Sequence, residues 1–201
     1  MERDIRKPDG SFNGKSIYVA GIDVAHRGLD ETAIVVLEQL PFDDNIFIVH
    51  METAHTPDLN MVIKRVMYLN QVFNFRKVII DETGIGAGIS DLLKNKMKGI
   101  AEGIWFTQKS KAEIFYNLKL LMTKVKGRLF IPDYSTTTNP IVKKLYYQLL
   151  SIQQEFTERS DVPKIFHEER SHDDLVCALA LAASYWKVGN TRKKYPFLGL
   201  N

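Results

Sequence analysis

The chain has 201 residues, of which 45% are hydrophobic and 25% are charged, and its net charge is +3. This composition is that of a globular protein with one core, and the mild positive charge permits a polyanionic partner without requiring one. The single cysteine, Cys177, excludes a disulfide framework and a cysteine-based zinc site within one chain. The longest apolar run, Leu175–Trp186, is shorter than the ~18 residues that suggest a membrane span. The charged segment Met1–Lys15 is not a signal peptide, so we expect a soluble intracellular protein with no membrane partner.

Three short apolar or β-branched segments in the first quarter of the chain predict an antiparallel meander. They follow residues 1–15, whose charge, glycine and proline content is typical of a linker or tail. The three strands are predicted at Ile17–Val24, Thr32–Leu40 and Ile46–Thr53, because residues with turn-forming chemistry separate them.

The hydrophobic spacing then becomes helical at Pro57–Asn74, and from there predicted strands and helices alternate. The later predictions, in chain order, are a strand at Lys77–Asp81, a helix from the Gly84–Gly88 turn to near Lys98, a strand at Ile100–Phe106, helices at Lys109–Lys126 and Pro140–Gln153 flanking an extended piece at Arg128–Pro132, a hairpin of Ser151–Thr157 with Pro163–Glu168, and a helix at His172–Lys187. This order predicts one mixed-sheet α/β domain over residues 16–188 with helices on both faces, followed by a basic tail at residues 189–201.

Two aspartates end predicted strands, where an acidic side chain is unexpected. Asp23 and Asp81 each follow a run of apolar strand residues. A carboxylate in such a place must be paired, hydrogen-bonded or bound to a cation. Asp173 and Asp174 open the most apolar predicted helix, where an acid interacts favourably with the helix dipole and where a simple capping role is the alternative.

Together these acids are the components of a site for a hard cation. Carboxylate oxygens suit Mg²⁺ or Mn²⁺. Two such ions about 3.5–4 Å apart activate a water molecule and stabilise the leaving oxygen in phosphodiester cleavage. The acids therefore predict a site for such cations, whose chemistry can support phosphodiester cleavage.

Four segments in chain order together resemble the nuclease domain of the large terminase subunit of tailed bacteriophages, within the RNase H-like superfamily. They read GIDVAHRGLDETAIVV, KVIIDETGIGAG, RLFIPD and SHDDLVCALALA, and the resemblance extends over residues 16–188. It implies an RNase H-like α/β fold, in which three antiparallel meander strands and further parallel strands form one mixed sheet with helices on both faces. It also implies that Asp23 and Asp81 are metal ligands and that a third acid comes from Asp173 or Asp174, with the order of the two left open.

The resemblance assigns accessory roles to further residues, each with a simpler alternative. Asp30 either lies near the metals or forms the first turn, and His172 either acts at the site or is a neutral histidine at a helix start. Glu82 is next to Asp81 in a strand, so its side chain should point to the opposite face. Lys109 and Lys111 either contact DNA phosphates or are solvated lysines of a helix's first turn.

The function that the resemblance implies is cleavage of double-stranded DNA concatemers, with little sequence specificity, during viral genome packaging. The implied partners are an ATPase motor domain, the portal and the small terminase subunit, in the cytoplasm of the infected host cell. No phosphate-binding loop of an ATPase is present in the sequence, so the chain resembles an excised nuclease domain or one split from its motor. The alternatives are a Holliday-junction-resolvase-like endonuclease and a vestigial DNA- or portal-docking module.

Overall fold

Most of the chain is described by the structure, a computed structural model. The described residues are 15–25, 31–41, 43–55, 58–84, 86–123, 128–157, 160–167 and 172–188. The strands are β1 (Ile17–Asp23), β2 (Thr32–Gln39), β3 (Ile46–Ala54), β4 (Lys77–Asp81), β5 (Ala101–Ile104), β6 (Leu129–Phe130), β7 (Ile152–Thr157) and β8 (Ser160–His167). The helices are α1 (Leu59–Phe73), α2 (Gly86–Lys96), α3 (Gln108–Met122), α4 (Pro140–Ser151) and α5 (Asp174–Ala183).

The first six strands form one mixed sheet in the order β5-β4-β1-β2-β3-β6. Strands β1, β2 and β3 pair antiparallel, as the predicted meander requires. Strand β4 pairs parallel to β1, β5 parallel to β4, and β6 parallel to β3. The prediction of an RNase H-like mixed sheet is therefore confirmed. Strands β7 and β8 form a separate two-stranded hairpin.

The sheet separates two hydrophobic cores because successive strand residues point to opposite faces. In β1, Val19 belongs to the core that also contains the buried residues of α3, α4 and α5. Ala20 and Ile22, which point to the opposite face, belong to the core formed with α1 and α2. Strand β4 follows the same pattern, with Ile79 facing the first core and Ile80 the second.

Helix α5 is the most deeply buried helix of the described residues. Every residue of α5, from Asp174 to Ala183, is buried. It packs on β1, β2 and β4 of the sheet and against α3 and α4. A helix that is apolar on all sides is expected to be enclosed in this way.

Several predicted boundaries differ from those observed. The strand predicted at Ile100–Phe106 is shorter, and the piece predicted at Arg128–Pro132 pairs with β3 only at Leu129 and Phe130. Strand β8 begins at Ser160, three residues before the predicted start at Pro163. The strand tolerates this proline because the register with β7 shifts there, so that no backbone N–H is needed for pairing at that position. Residues 57 and 124–126, included in two predicted helices, lie outside the described residues. Among the described helices, none is long and apolar enough to cross a membrane.

Candidate functional site

Two predicted acids lie side by side at the ends of neighbouring parallel strands. The register of β1 with β4 pairs Ile22 with Ile80, so the next residues, Asp23 and Asp81, are adjacent. By strand alternation both aspartates belong to the face that carries Val19 and Ile79, which is the face covered by α5. The carboxyl ends of adjacent strands in an α/β sheet are where sites commonly form.

A glycine in β1 lets α5 approach this strand closely. A Cβ atom added to Gly21 would lie 1.9 Å from the carbonyl oxygen of Ala178 and 2.5 Å from the amide nitrogen of Ala182, so only glycine fits. Asp23 lies two residues beyond Gly21, about 6.6 Å along the strand. Asp174 lies four residues before Ala178, about 6 Å along the helix. The start of α5 therefore reaches the end of β1.

The electrostatics of Asp23 show that the four predicted acids come together. Burial raises the pKa of Asp23 well above its ordinary value, and the nearby carboxylates of Asp81, Asp173 and Asp174 raise it further. Lys111 acts in the opposite direction and lowers it. Negative charges that lie close together make ionisation of a buried carboxyl group less favourable. Around Asp23, three other acids outnumber the one lysine.

Lys111 lies inside the acid cluster. Its Nζ donates a hydrogen bond to Oδ2 of Asp173 at 2.9 Å, and it also lies 5.8 Å and 5.6 Å from the ring centres of Phe106 and Phe115. Burial lowers the pKa of Lys111, but the groups around it, Cys177, Asp173 and Asp23, raise it above its ordinary value. Lys111 is therefore a charged partner of the acids in this structure, whereas Lys109 is exposed in the first turn of α3.

His167, which the sequence analysis did not single out, lies beside the same aspartate. Its Nε2 is 3.8 Å from Oδ1 of Asp173. Burial raises the pKa of Asp173, but Lys111 and His167 outweigh this effect, and the pKa is below its ordinary value. His167 is the last residue of β8, and a single histidine at the end of a hairpin gives no local signal of such a contact.

Of the predicted accessory residues Glu82, His172 and Asp30, the structure describes the first two. Glu82 faces α2, where its Oε1 accepts hydrogen bonds from Ser90 Oγ at 2.6 Å and from Lys94 Nζ, so the structure does not bring it to Asp23. His172 is exposed just before α5. Asp30 lies outside the described residues.

The donor set fits a hard divalent cation by its chemistry. Four carboxylates converge, and oxygen ligands of this kind suit Mg²⁺ and Mn²⁺. In the arrangement observed, one oxygen of Asp81 accepts the backbone N–H of Thr83 at 2.8 Å and one oxygen of Asp173 accepts from Lys111. No three His, Cys, Asp or Glu side chains of the described residues are grouped as a metal site. Metal binding would thus require carboxylates to turn from their present contacts.

Solved structures similar to this chain are phage nuclease domains. The large terminase nuclease from thermophilic phage G20c is 23% identical, with a TM-score of 0.63, and the match covers 90% of this chain and 86% of that chain. A point mutant of the nuclease domain of the large terminase subunit of bacterial virus Sf6, with manganese and β-thujaplicinol, is 13% identical, with a TM-score of 0.63 over 83% of this chain and 87% of that one. The large terminase nuclease domain from bacteriophage SPP1 with bound Mn is 15% identical, with a TM-score of 0.53 over 92% and 94% of the two chains.

The sequence itself matches no protein-family model and no curated protein. The similarity therefore lies in the three-dimensional arrangement, namely the mixed sheet with helices on both faces. The chain has the RNase H-like fold of large terminase nuclease domains.

Proposed function

We propose that this chain is a divalent-metal-dependent endonuclease that cuts double-stranded DNA concatemers during viral genome packaging, with little sequence specificity. The observation that carries the proposal is the convergence of four aspartates at the ends of β1 and β4 and the start of α5. Two similar nuclease domains were solved with manganese, which agrees with a site for hard cations in this fold.

Asp23 and Asp81 would hold the metal together with one or both of Asp173 and Asp174. When bound, two Mg²⁺ or Mn²⁺ ions would supply an activated water molecule and charge stabilisation at the leaving oxygen. Without a cation, burial and then the neighbouring carboxylates keep the pKa of Asp23 above that of an ordinary aspartate, and Lys111 balances part of the charge on Asp173.

The β7–β8 hairpin stands beside the cluster and would limit how DNA approaches. Gln108 Nε2, in the first turn of α3, donates a hydrogen bond to the carbonyl oxygen of Val162 at 2.7 Å, which ties the hairpin to α3. His167 at the end of the hairpin lies against Asp173. Lys109 on the same first turn of α3 is exposed and would contact a DNA phosphate as a point charge.

The remaining partners follow from the resemblance to terminase sequences and from the shared fold. We propose that the nuclease works with an ATPase motor domain, the portal and the small terminase subunit, in the cytoplasm of an infected host cell. Packaging requires that a concatemer be cut into separate genome lengths, and an electrostatic, sequence-independent contact with the backbone suits that task.

Cleavage of supercoiled plasmid in Mn²⁺ or Mg²⁺ tests the proposal. Wild type should nick and linearise the plasmid, and excess EDTA should stop the reaction. Asp23→Asn and Asp81→Asn should be inactive, whereas the control Asp91→Asn, an exposed aspartate of α2, should cut like wild type.

Three results would contradict the proposal in different ways. Cleavage that persists in EDTA would exclude metal dependence, and cleavage by both aspartate variants would exclude these ligands. Strong preference for a four-way junction over linear duplex would replace the packaging role by that of a junction resolvase.

A further inference from the structure

Two of the four acids lie at the start of α5, Asp173 at the N-cap position and Asp174 as the first helical residue, and Asp173 does not cap the helix. The first N–H groups of a helix have no partner within the helix and need an acceptor from elsewhere. The N-cap residue is Asp173, a type of residue that commonly supplies this acceptor, but its side chain makes no capping hydrogen bond. One of its carboxylate oxygens accepts from Lys111 instead.

The acceptor comes from another helix, α4. Oε1 of Gln148 accepts hydrogen bonds from the backbone N–H of Leu175 at 2.9 Å and of Val176 at 3.3 Å. These are the second and third residues of α5. The side chain of Gln148 therefore caps α5 across 27 positions of sequence.

Packing alone does not explain why a glutamine occupies the buried position 148. Gln148 is only 4% exposed, and its Nε2 has no hydrogen-bond partner among the residues that the structure describes. A buried amide with an unsatisfied donor is less favourable than an apolar side chain of the same size. The two hydrogen bonds to α5 are what an apolar residue could not provide.

An uncharged side chain at position 148 is also favourable because acidic residues lie at the start of α5. A Glu at position 148 would offer the same oxygen but would add a buried negative charge at the start of α5, next in sequence to Asp173 and Asp174. Glutamine supplies the acceptor without that charge. While Gln148 binds these two N–H groups, the carboxylate of Asp173 bonds to Lys111 and does not cap α5.

We propose that Gln148 is a positioning residue for the metal site, which holds the start of α5 against the end of β1 and leaves the aspartates there available to the cation. The inference rests on the proposed metal-dependent function. It adds a residue that touches none of the reacting groups and acts through α5. Partners that lie behind metal ligands typically change metal affinity or activity by about 10–100-fold when mutated.

Amide hydrogen exchange, followed by NMR in EDTA, tests the capping without any metal. Gln148→Met keeps the size and removes the acceptor, so the N–H groups of Leu175 and Val176 should exchange faster than in wild type. Gln148→Glu keeps the acceptor and should preserve their protection. If Gln148→Met does not fold, Gln148→Asn serves in its place, since its shorter side chain withdraws the oxygen from α5.

The dissociation constant for Mn²⁺, measured by calorimetry on the same variants, tests the positioning. Gln148→Met should bind Mn²⁺ on the order of tenfold more weakly than wild type. Val66→Ala, a buried site of α1 in the opposite core, controls for lost stability, and Gln71→Met controls for the surface change. Both controls should bind Mn²⁺ like wild type.

The outcomes separate this inference from the proposed function. Unchanged exchange in Gln148→Met would overturn the capping, and faster exchange with an unchanged Mn²⁺ affinity would overturn the positioning while the metal site stands. A wild type that binds no Mn²⁺ would overturn the metal site and the positioning together, whereas the exchange result would still decide whether Gln148 caps α5.

Discussion

Two lysine–carboxylate contacts lie on opposite faces of the same end of the sheet, and they differ in charge balance. On the α2 face, Glu82 pairs with Lys94, which lowers the pKa of Glu82 below its ordinary value. On the α5 face, Lys111 pairs with Asp173, but three further acids surround this contact. One of them, Asp23, has a pKa well above its ordinary value because of burial and of these acids.

The difference separates a balanced ion pair from a cluster in which carboxylates outnumber their positive partners. One carboxylate and one lysine neutralise each other on the α2 face. Four carboxylates and one lysine cannot do so on the α5 face, and the excess charge must be removed by protonation or by a bound cation. Asp81 and Glu82 are adjacent in the chain, so strand alternation alone assigns them to these two environments.

Variants on the α5 face and on the α2 face of the sheet should differ most in their rate of DNA cleavage. Asp23→Asn should reduce plasmid cleavage in Mn²⁺ by more than about a hundredfold, because even residues behind metal ligands change activity by about 10–100-fold. Glu82→Gln should cut within a few-fold of wild type, since its carboxylate contacts α2. Initial rates of nicking measure both. Equal losses in the two variants would mean that the faces do not divide as described.

The next effect is the stabilisation of the folded state by metal. At a Mn²⁺ concentration ~100 times the dissociation constant, binding to the folded site should add about 2.7 kcal/mol to the free energy of unfolding. Glu82→Gln should keep this gain. Asp173→Ala and Asp174→Ala, compared separately by thermal unfolding, should show which acid binds, because successive helix residues point about 100° apart.

The ligand variant should lose most of the metal-induced shift in melting temperature and nearly all cleavage. The capping alternative is wrong for Asp173, because Gln148 caps α5 and the Asp173 side chain makes no capping hydrogen bond. Neither single variant should therefore show the full loss of about 2 kcal/mol expected of a cap. If both variants keep the metal response and cleavage of wild type, the acids of α5 do not belong to the site.

The sequence was sufficient to predict those parts of the fold that depend on local pattern. The meander, β4 and α5 were predicted because apolar spacing and turn residues define them without reference to distant residues. Strand β6 was overestimated because its length depends on pairing with β3 across a long connection. The start of β8 was misplaced because Pro163 lies at a register shift that a sequence pattern does not reveal.

For the site, the sequence predicts the acids, but it does not predict the lysine that pairs with Asp173 or the glutamine that caps α5. Asp23 and Asp81 could be placed together because both end strands of one sheet. The contact of Lys111 with Asp173 spans 62 positions and that of Gln148 with Leu175 spans 27, and neither pair has a fixed spacing that a motif could capture. From the sequence, Lys111 is either a DNA phosphate contact or a solvated lysine, whereas the structure pairs it with Asp173.

A third prediction changes the charge balance of the α5 face directly. Lys111→Met removes the cation bonded to Asp173, so the free energy of unfolding without metal should fall by ~1–3 kcal/mol, the usual penalty for leaving a charged partner unsatisfied. Mn²⁺ should restore most of this loss, because a divalent cation can neutralise the same carboxylates. Urea unfolding with and without Mn²⁺ measures the two values. An equal loss in both conditions would mean that Lys111 and the metal do not share the site.

The smallest effect is the pH dependence of stability, which should have opposite signs on the two faces. The pKa of Asp23 is raised in the folded state, so above the ordinary value of 3.8 the folded protein binds more protons than the unfolded chain, and stability falls as the pH rises through the raised pKa. The pKa of Glu82 is lowered, so its contribution is present above the ordinary value of 4.5 and is lost as the pH falls.

In EDTA, urea unfolding between about pH 4 and about pH 8 should show a stability gain of Asp23→Asn over wild type that grows with pH. Glu82→Gln should instead lose stability relative to wild type, and the loss should shrink toward acid pH. A gain of Asp23→Asn that does not change with pH would mean that charge repulsion is not the source of the effect, and the distinction between a balanced ion pair and a cation site would no longer hold.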